Sequence, residues 1–274
     1  MISMFRHVLP LAAVLCLGAC QKNYIAYALS STGTIISFDT AKPGTISSSV
    51  AVSGLASGVS LVQLGYRPAD NTLYGITSDN ELATVAPATG VANVVSSSAF
   101  SSNTLSGASM SFDPVQDQLR VISTEYNLRV NSDGTLADSA TKLAFDSADT
   151  SSGKTPQIAA IAYGDPAANA STTTLYALDV TTHSLLRVGS ADTSSTNSVD
   201  AGLLHTVGST GVVFTSDAGL SLSSGESTAY AVLQQSGSGA ALYTVDLASG
   251  GASEVGTIGS GDQTLISLAL VLGN

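Results

Sequence analysis

Apolar and polar positions along the chain fall into a unit that recurs five times. Each unit reads as an apolar strand ending near a proline, a polar turn, a strand centred on Leu-Tyr or a close variant, a second turn and two further strands. The centres are Ala26-Tyr27-Ala28, Leu73-Tyr74-Gly75, Leu119-Arg120-Val121, Leu175-Tyr176-Ala177 and Ala229-Tyr230-Ala231. They lie 47, 46, 56 and 54 residues apart, the spacing of four-stranded propeller blades. A second short strand is predicted after each centre: Thr34 to Asp39, Glu81 to Val85, Asn127 to Asn131, Ser184 to Val188 and Ala241 to Asp246. Alternation in these runs is incomplete, as expected of sheets covered on both faces.

The strand before a centre ends in Gly65-Tyr66-Arg67-Pro68, Ser111-Phe112-Asp113-Pro114 and Tyr163-Gly164-Asp165-Pro166, because proline cannot donate to a ladder and belongs at a strand end. A degenerate fourth turn is placed around Thr215 to Gly219. The repeat region opens with a Leu-Tyr type strand, Tyr24 to Leu29, and closes with the apolar strand Leu265 to Leu272. Pairing of the last strand with the first would close the ring and remove its edge. The expected fold is therefore an all-β, five-bladed propeller. A six-bladed ring, with a worn blade hidden in one of the longer intervals, and a β-sandwich are the alternatives.

The start of the chain has a different pattern. Arg6 and His7 precede an apolar run from Val8 to Leu17 and the tetrad Leu17-Gly18-Ala19-Cys20. Ten apolar residues are too few to span a bilayer but suit the h-region of an export signal. Small residues leading into a cysteine resemble the lipobox of bacterial lipoproteins. That resemblance implies a signal peptide over 1–19, lipid on Cys20, a short tether over 20–23 and a propeller domain over 24–274. Two or three acyl chains suffice for stable anchoring. Gln21 in place of Asp after the cysteine favours the outer membrane in Gram-negative lipoproteins. Cys16 leaves with the signal and Cys20 is consumed by lipid, so no disulfide, thiolate nucleophile or Cys metal site is expected.

Composition narrows the partners. Without the signal the chain carries 8 Lys+Arg against 20 Asp+Glu, which excludes a nucleic-acid binder with its basic patch. Small hydroxylated and apolar residues dominate and Trp is absent, a balance that suits strands and tight turns. No composition shift marks a second domain.

The stretches Ala26-Tyr27-Ala28-Leu29, Tyr66-Arg67-Pro68 and Phe112-Asp113-Pro114, followed by Leu119-Arg120-Val121 and Asn127-Leu128-Arg129-Val130-Asn131, resemble the bacterial domain of unknown function 4394. So does Thr172-Thr173-Thr174-Leu175-Tyr176-Ala177-Leu178-Asp179. The resemblance implies a propeller-like extracytoplasmic protein and carries no catalytic residue.

Candidate chemistry is sparse. His183, in a polar turn, and His205, in a strand, supply half the ligands of a zinc centre, so no metal or cofactor is expected. No Gly-x-Ser-x-Gly elbow is present. Asp146, Asp149 and Asp165 are candidate oxygen ligands for calcium, with solvated loop acids as the simpler reading. The unusual feature is the third repeat, where Arg120, Arg129 and Lys142 gather in an acidic protein. Arginine recognises carboxylate and phosphate bidentately, so these three form a candidate anion-binding set; pairing with Asp113, Asp117 or Glu125 is the structural alternative. The expected function is a monomeric, membrane-anchored binding module for an envelope protein, glycan or small molecule. A hydrolase or lyase acting in the central channel is the rival, and a passive envelope component the third reading.

Overall fold

The structure is a computed structural model that describes residues 24–272 apart from 97, 104, 106, 190–198 and 224–227. The expected signal peptide over 1–19, Cys20 and the expected tether lie outside the described residues. Blade 1 contains β1 (Tyr24–Ser30), β2 (Thr34–Asp39) and β3 (Ile46–Ala51). Blade 2 is β4 (Leu61–Arg67), β5 (Thr72–Thr77), β6 (Leu82–Ala86) and β7 (Val91–Val94). Blade 3 is β8 (Ser109–Asp113), β9 (Gln118–Ile122), β10 (Asn127–Val130) and β11 (Leu136–Ser139). A short strand, β12 (Ala144–Phe145), then leads to blade 4, formed by β13 (Ile158–Tyr163), β14 (Leu175–Asp179), β15 (Ser184–Val188) and β16 (Leu203–Ser209). Blade 5 is β17 (Gly219–Leu222), β18 (Thr228–Leu233), β19 (Ala241–Asp246) and β20 (Ala252–Thr257).

The last strand, β21 (Leu265–Leu272), returns to blade 1 and pairs antiparallel with β1, from Tyr24 opposite Leu272 to Ser30 opposite Leu265. The sheet order β21-β1-β2-β3 gives blade 1 its fourth strand. The five-bladed ring expected from the repeats is the observed fold, closed by the pairing of β21 with β1. The long 56-residue interval holds no sixth blade; part of it is β12, which adds in parallel to the outer strand β16. One boundary is corrected. Gly219 is not in a strand-ending turn but opens β17, which ends at Leu222. A glycine is needed inside this strand because a Cβ there would lie 2.5 Å from the Leu268 backbone nitrogen, so β17 and β21 approach backbone to backbone.

Apolar residues bury between blades rather than beneath one sheet. Ala26, Ala28 and Phe38 of blade 1 cluster with Tyr230, Val232 and Leu242 of blade 5. Tyr74, Ile76 and Leu82 of blade 2 cluster with Met110, Phe112 and Leu119 of blade 3. This two-sided burial is why the strands lack clean alternation.

The innermost strands β21, β4, β8, β13 and β17 leave one edge unpaired, and hydroxyl and amide side chains of neighbouring blades satisfy several of those backbone groups. Ser109 Oγ accepts from the Ile161 amide at 2.9 Å and Ser111 Oγ from the Tyr163 amide at 3.0 Å. Ser221 Oγ accepts from the Leu270 amide at 3.1 Å. Gln234 both donates to the Leu265 carbonyl and accepts from its amide, and Gln63 Nε2 donates to the Ile266 carbonyl at 3.1 Å.

Candidate functional site

Each repeat centre sits on the second strand of its blade, and the register fixes which residue of the innermost strand faces it. Opposite Tyr27, Tyr74, Arg120, Tyr176 and Tyr230 stand Ala269, Gly65, Ser111, Ala162 and Ser221. All five are small, one per blade, and all five line a cavity of about 380 Å³ at one mouth of the central channel. A larger residue there would press on the innermost strand of the next blade: a Cβ at Gly65 would already lie 3.0 Å from the Met110 side chain. Its wall is continued by Met110, Phe112, Leu220, Leu222 and Leu268, and its rim by Tyr24, Tyr66, Asn71, Ser223 and the Pro166-Ala167-Ala168 segment. No Asp, Glu, His, Lys or Arg is among the described lining residues.

The polar groups at the mouth are hydroxyls and one amide. Tyr66 donates its phenol proton to Asn71 Oδ1 at 2.5 Å. Ser111 and Ser221 each accept one backbone N–H, as described above. Ser223 is 4% exposed and its Oγ has no hydrogen-bond partner among the described residues. Beside the rim, Arg67 of β4 reaches across to blade 3, where Nε and Nη2 engage both carboxylate oxygens of Asp117. Its Nη1 donates to Asp70 Oδ2 at 2.6 Å, and Tyr74 donates to the same oxygen at 2.8 Å. The Asp117 hydrogen bonds raise the Arg67 pKa, and this charge is committed to holding blade 2 against blade 3.

Tyr163, itself a lining residue, directs its phenol toward Arg120 Nε, 3.4 Å away. Burial is the largest cause of its pKa being pushed up to about 12, with the Arg120 cation opposing. A raised tyrosine pKa stabilises the neutral form in the fold. That contribution is complete below the unfolded value near 10 and is lost as pH rises through 12, a swing of about 2–3 kcal/mol. Denaturant unfolding at intervals from pH 9 to 12 should therefore show the native protein losing stability with rising pH faster than Tyr163→Phe. Parallel curves would show that Tyr163 is not the group responsible.

The candidate anion-binding residues are brought together only in part, and none lines the cavity. Arg120, 3% exposed, donates to Asn127 Oδ1 at 3.0 Å and to Asp200 Oδ1 at 2.8 Å. Asp200 belongs to a 3-10 turn, Val199–Ala201, ahead of β16 in blade 4, so this pair bridges blades. Arg129 pairs with Asp138 at 2.7 Å and lies 3.7 Å from Asp200. Lys142 pairs with Glu125 at 2.7 Å, both exposed. None of the acids named from sequence as partners of the two arginines takes that place among the ion pairs of the described residues: Glu125 pairs with Lys142 and Asp117 binds Arg67, while Arg120 and Arg129 pair with Asp200 and Asp138.

His183 has positive φ in the β14–β15 turn; its ring packs edge-on against Phe214 at 5.2 Å and Nδ1 accepts from the Phe214 amide. His205 Nε2 lies 3.0 Å from the Gly189 carbonyl oxygen. Asp149 accepts from the Thr206 amide at 2.6 Å and its hydroxyl at 2.8 Å, while Asp146 accepts from the Ala148 amide. Among the described residues no group of three or more His, Cys, Asp or Glu is placed to hold a metal ion, and no helix is long and apolar enough to cross a membrane.

No curated protein matches this chain. Among solved structures it is similar to a structural genomics protein of unknown function from Bacteroides thetaiotaomicron, with a TM-score of 0.50 and 11% identity over 77% of this chain and 53% of that one. The chain therefore spans about half the length of that relative. It is similar also to a chain of the nidogen/laminin complex (TM-score 0.45, 13% identity, 91% of this chain and 98% of that one). A third likeness is to PorZ, a bacterial surface component of the type-IX secretion system of Porphyromonas gingivalis (TM-score 0.41, 11% identity, 83% and 27%). At these identities the likeness is one of fold alone. The family described as domain of unknown function (DUF4394) matches residues 34–269, most of the chain, and this protein belongs to that family.

Proposed function

We propose that this propeller is an extracytoplasmic binding module, tethered to the membrane by lipid on Cys20, that receives a small ligand in the mouth of its central channel. The observation that carries the reading is the cavity of about 380 Å³ to which every blade contributes a small residue. That volume is within the range of small-molecule sites, and a mostly apolar wall with a few convergent polar groups is their usual make-up. The lipid on Cys20 rests on the Leu17-Gly18-Ala19-Cys20 tetrad. A hydrolase in the channel needs an acid and a base in contact with substrate, and the described lining contributes tyrosine and serine hydroxyls instead.

Met110 supplies the test. The other two methionines, Met1 and Met4, fall in the signal segment, so a propeller beginning after Cys20 has a single native methionine, in the cavity wall. Its labelled methyl group should shift when the small-molecule fraction of the host envelope, or a library of neutral aromatic fragments, is titrated in. Ala168→Trp, at the exposed rim, should abolish the shift without unfolding the ring. A methyl resonance unmoved by both additions would remove the binding reading.

A further inference from the structure

The cavity combines three properties that together specify a class of ligand. It has no charged side chain among its described lining residues. It belongs to a chain with a net charge of −11, and its polar side chains are the Asn71 amide and hydroxyls whose hydrogen-bonding capacity is partly spent in a defined direction.

A serine hydroxyl has one hydrogen to donate and two lone pairs to accept with. At Ser111 a lone pair takes the Tyr163 N–H at 3.0 Å, and at Ser221 a lone pair takes the Leu270 N–H at 3.1 Å. Neither hydroxyl donates to a described residue, so each retains its hydrogen. Ser223 Oγ is buried and has no partner among the described residues, which leaves an uncompensated desolvation that a bound acceptor would relieve. Three hydroxyls on two of the five blades thus have donors in surplus, in a wall otherwise formed by Phe112, Leu220, Leu222 and Leu268. An ion in such a site would give up its hydration with no countercharge among the described lining residues to replace it, and an anion would in addition enter against the field of an acidic protein.

Resting on the binding reading above, we infer that the channel mouth takes an uncharged ligand with an apolar body and at least one oxygen acceptor, a carbonyl or ether, held by the hydroxyls of Ser111, Ser221 and Ser223.

The test uses three dyes with the propeller that begins after Cys20, read by fluorescence and by the Met110 methyl resonance. The first is 6-propionyl-2-(dimethylamino)naphthalene, neutral with one ketone; the second is the anion 8-anilinonaphthalene-1-sulfonate; the third is the cation thioflavin T. The neutral ketone should bind at one site and move the Met110 methyl, with both ions weaker by about tenfold or more. Removing the ketone, as in 2-(dimethylamino)naphthalene, should weaken binding about fivefold. Ser223→Ala should do the same, and it orphans no backbone amide because Ser223 Oγ accepts none. Binding of either ion as tightly as the ketone, with the methyl shift, would overturn the uncharged class while leaving the cavity as a binding site. Equal affinity for the ketone and its carbonyl-free analogue would overturn the acceptor assignment. A Met110 methyl that none of the dyes moves would overturn this inference and the binding reading together.

Discussion

Removing residues 265–274 should leave a chain that no longer unfolds cooperatively, because β21 is the innermost strand of a blade whose other three strands lie at the far end of the sequence. Leu265, Leu268 and Leu270 are buried, and full burial of three such side chains contributes roughly 5–9 kcal/mol. That is comparable to the whole stability of a typical domain, about 5–15 kcal/mol. The loss does not stop at apolar area. Without β21 the inner edge of β1 is unpaired, Ser221 and Gln63 lose their backbone partners, and Gln234 loses both bonds to Leu265. The open β1 edge then becomes a site for pairing with another chain. Circular dichroism and size exclusion should show lost near-ultraviolet signal and association; adding the ten-residue segment back as a peptide should restore part of it. A monomeric truncation with a sharp thermal transition would mean that the other four blades hold the ring without closure.

The sequence made this closure legible because the two ends carry complementary halves of one repeat. Blade boundaries were readable for the same reason: Arg67-Pro68, Asp113-Pro114 and Asp165-Pro166 stop three of the innermost strands at equivalent points. The signal failed in blade 5. There β17 has no proline at its end, and Gly219, a turn residue by its chemistry, is inside the strand because the β21 backbone passes too close for a Cβ. That constraint is a contact between residues 48 or more positions apart, which no local pattern encodes.

The cavity was less legible than the fold, although its signal was present. Aligning the repeats on their centres would have shown that the residue facing each centre is Gly65, Ser111, Ala162, Ser221 or Ala269, never a large one. Reading conspicuous charges drew attention to Arg120, Arg129 and Lys142 instead. Charge is rare here, so it stands out, yet in this fold rare charges fasten blades together: Arg67 to Asp117 between blades 2 and 3, Arg120 to Asp200 between blades 3 and 4. The cavity is marked by what is small and uncharged, which carries little contrast in a chain rich in Ser, Ala and Gly.

Arg120→Leu separates these two uses of arginine. The guanidinium is 3% exposed and satisfies three acceptors, Tyr163 Oη, Asn127 Oδ1 and Asp200 Oδ1. Leucine would leave Asn127, itself 1% exposed, with its side-chain oxygen unpaired, although Nδ2 would still donate to the Thr141 and Val199 carbonyls. Breaking a buried pair by removing one partner costs about 3–5 kcal/mol. The Asp200 side chain is 38% exposed and can recover water, so the lower end applies, about 3 kcal/mol, or roughly 10 °C in Tm for a domain of this size. The exposed Lys142–Glu125 pair sets the contrast: Lys142→Met should change stability by less than about 1 kcal/mol. Paired denaturant curves decide the matter. A large loss for Arg120→Leu beside a small one for Lys142→Met identifies Arg120 as the bolt between blades 3 and 4. An Arg120→Leu protein as stable as the native one would show that Asp200 and Asn127 do not need this cation, and would return it to the anion-binding role that the sequence first suggested.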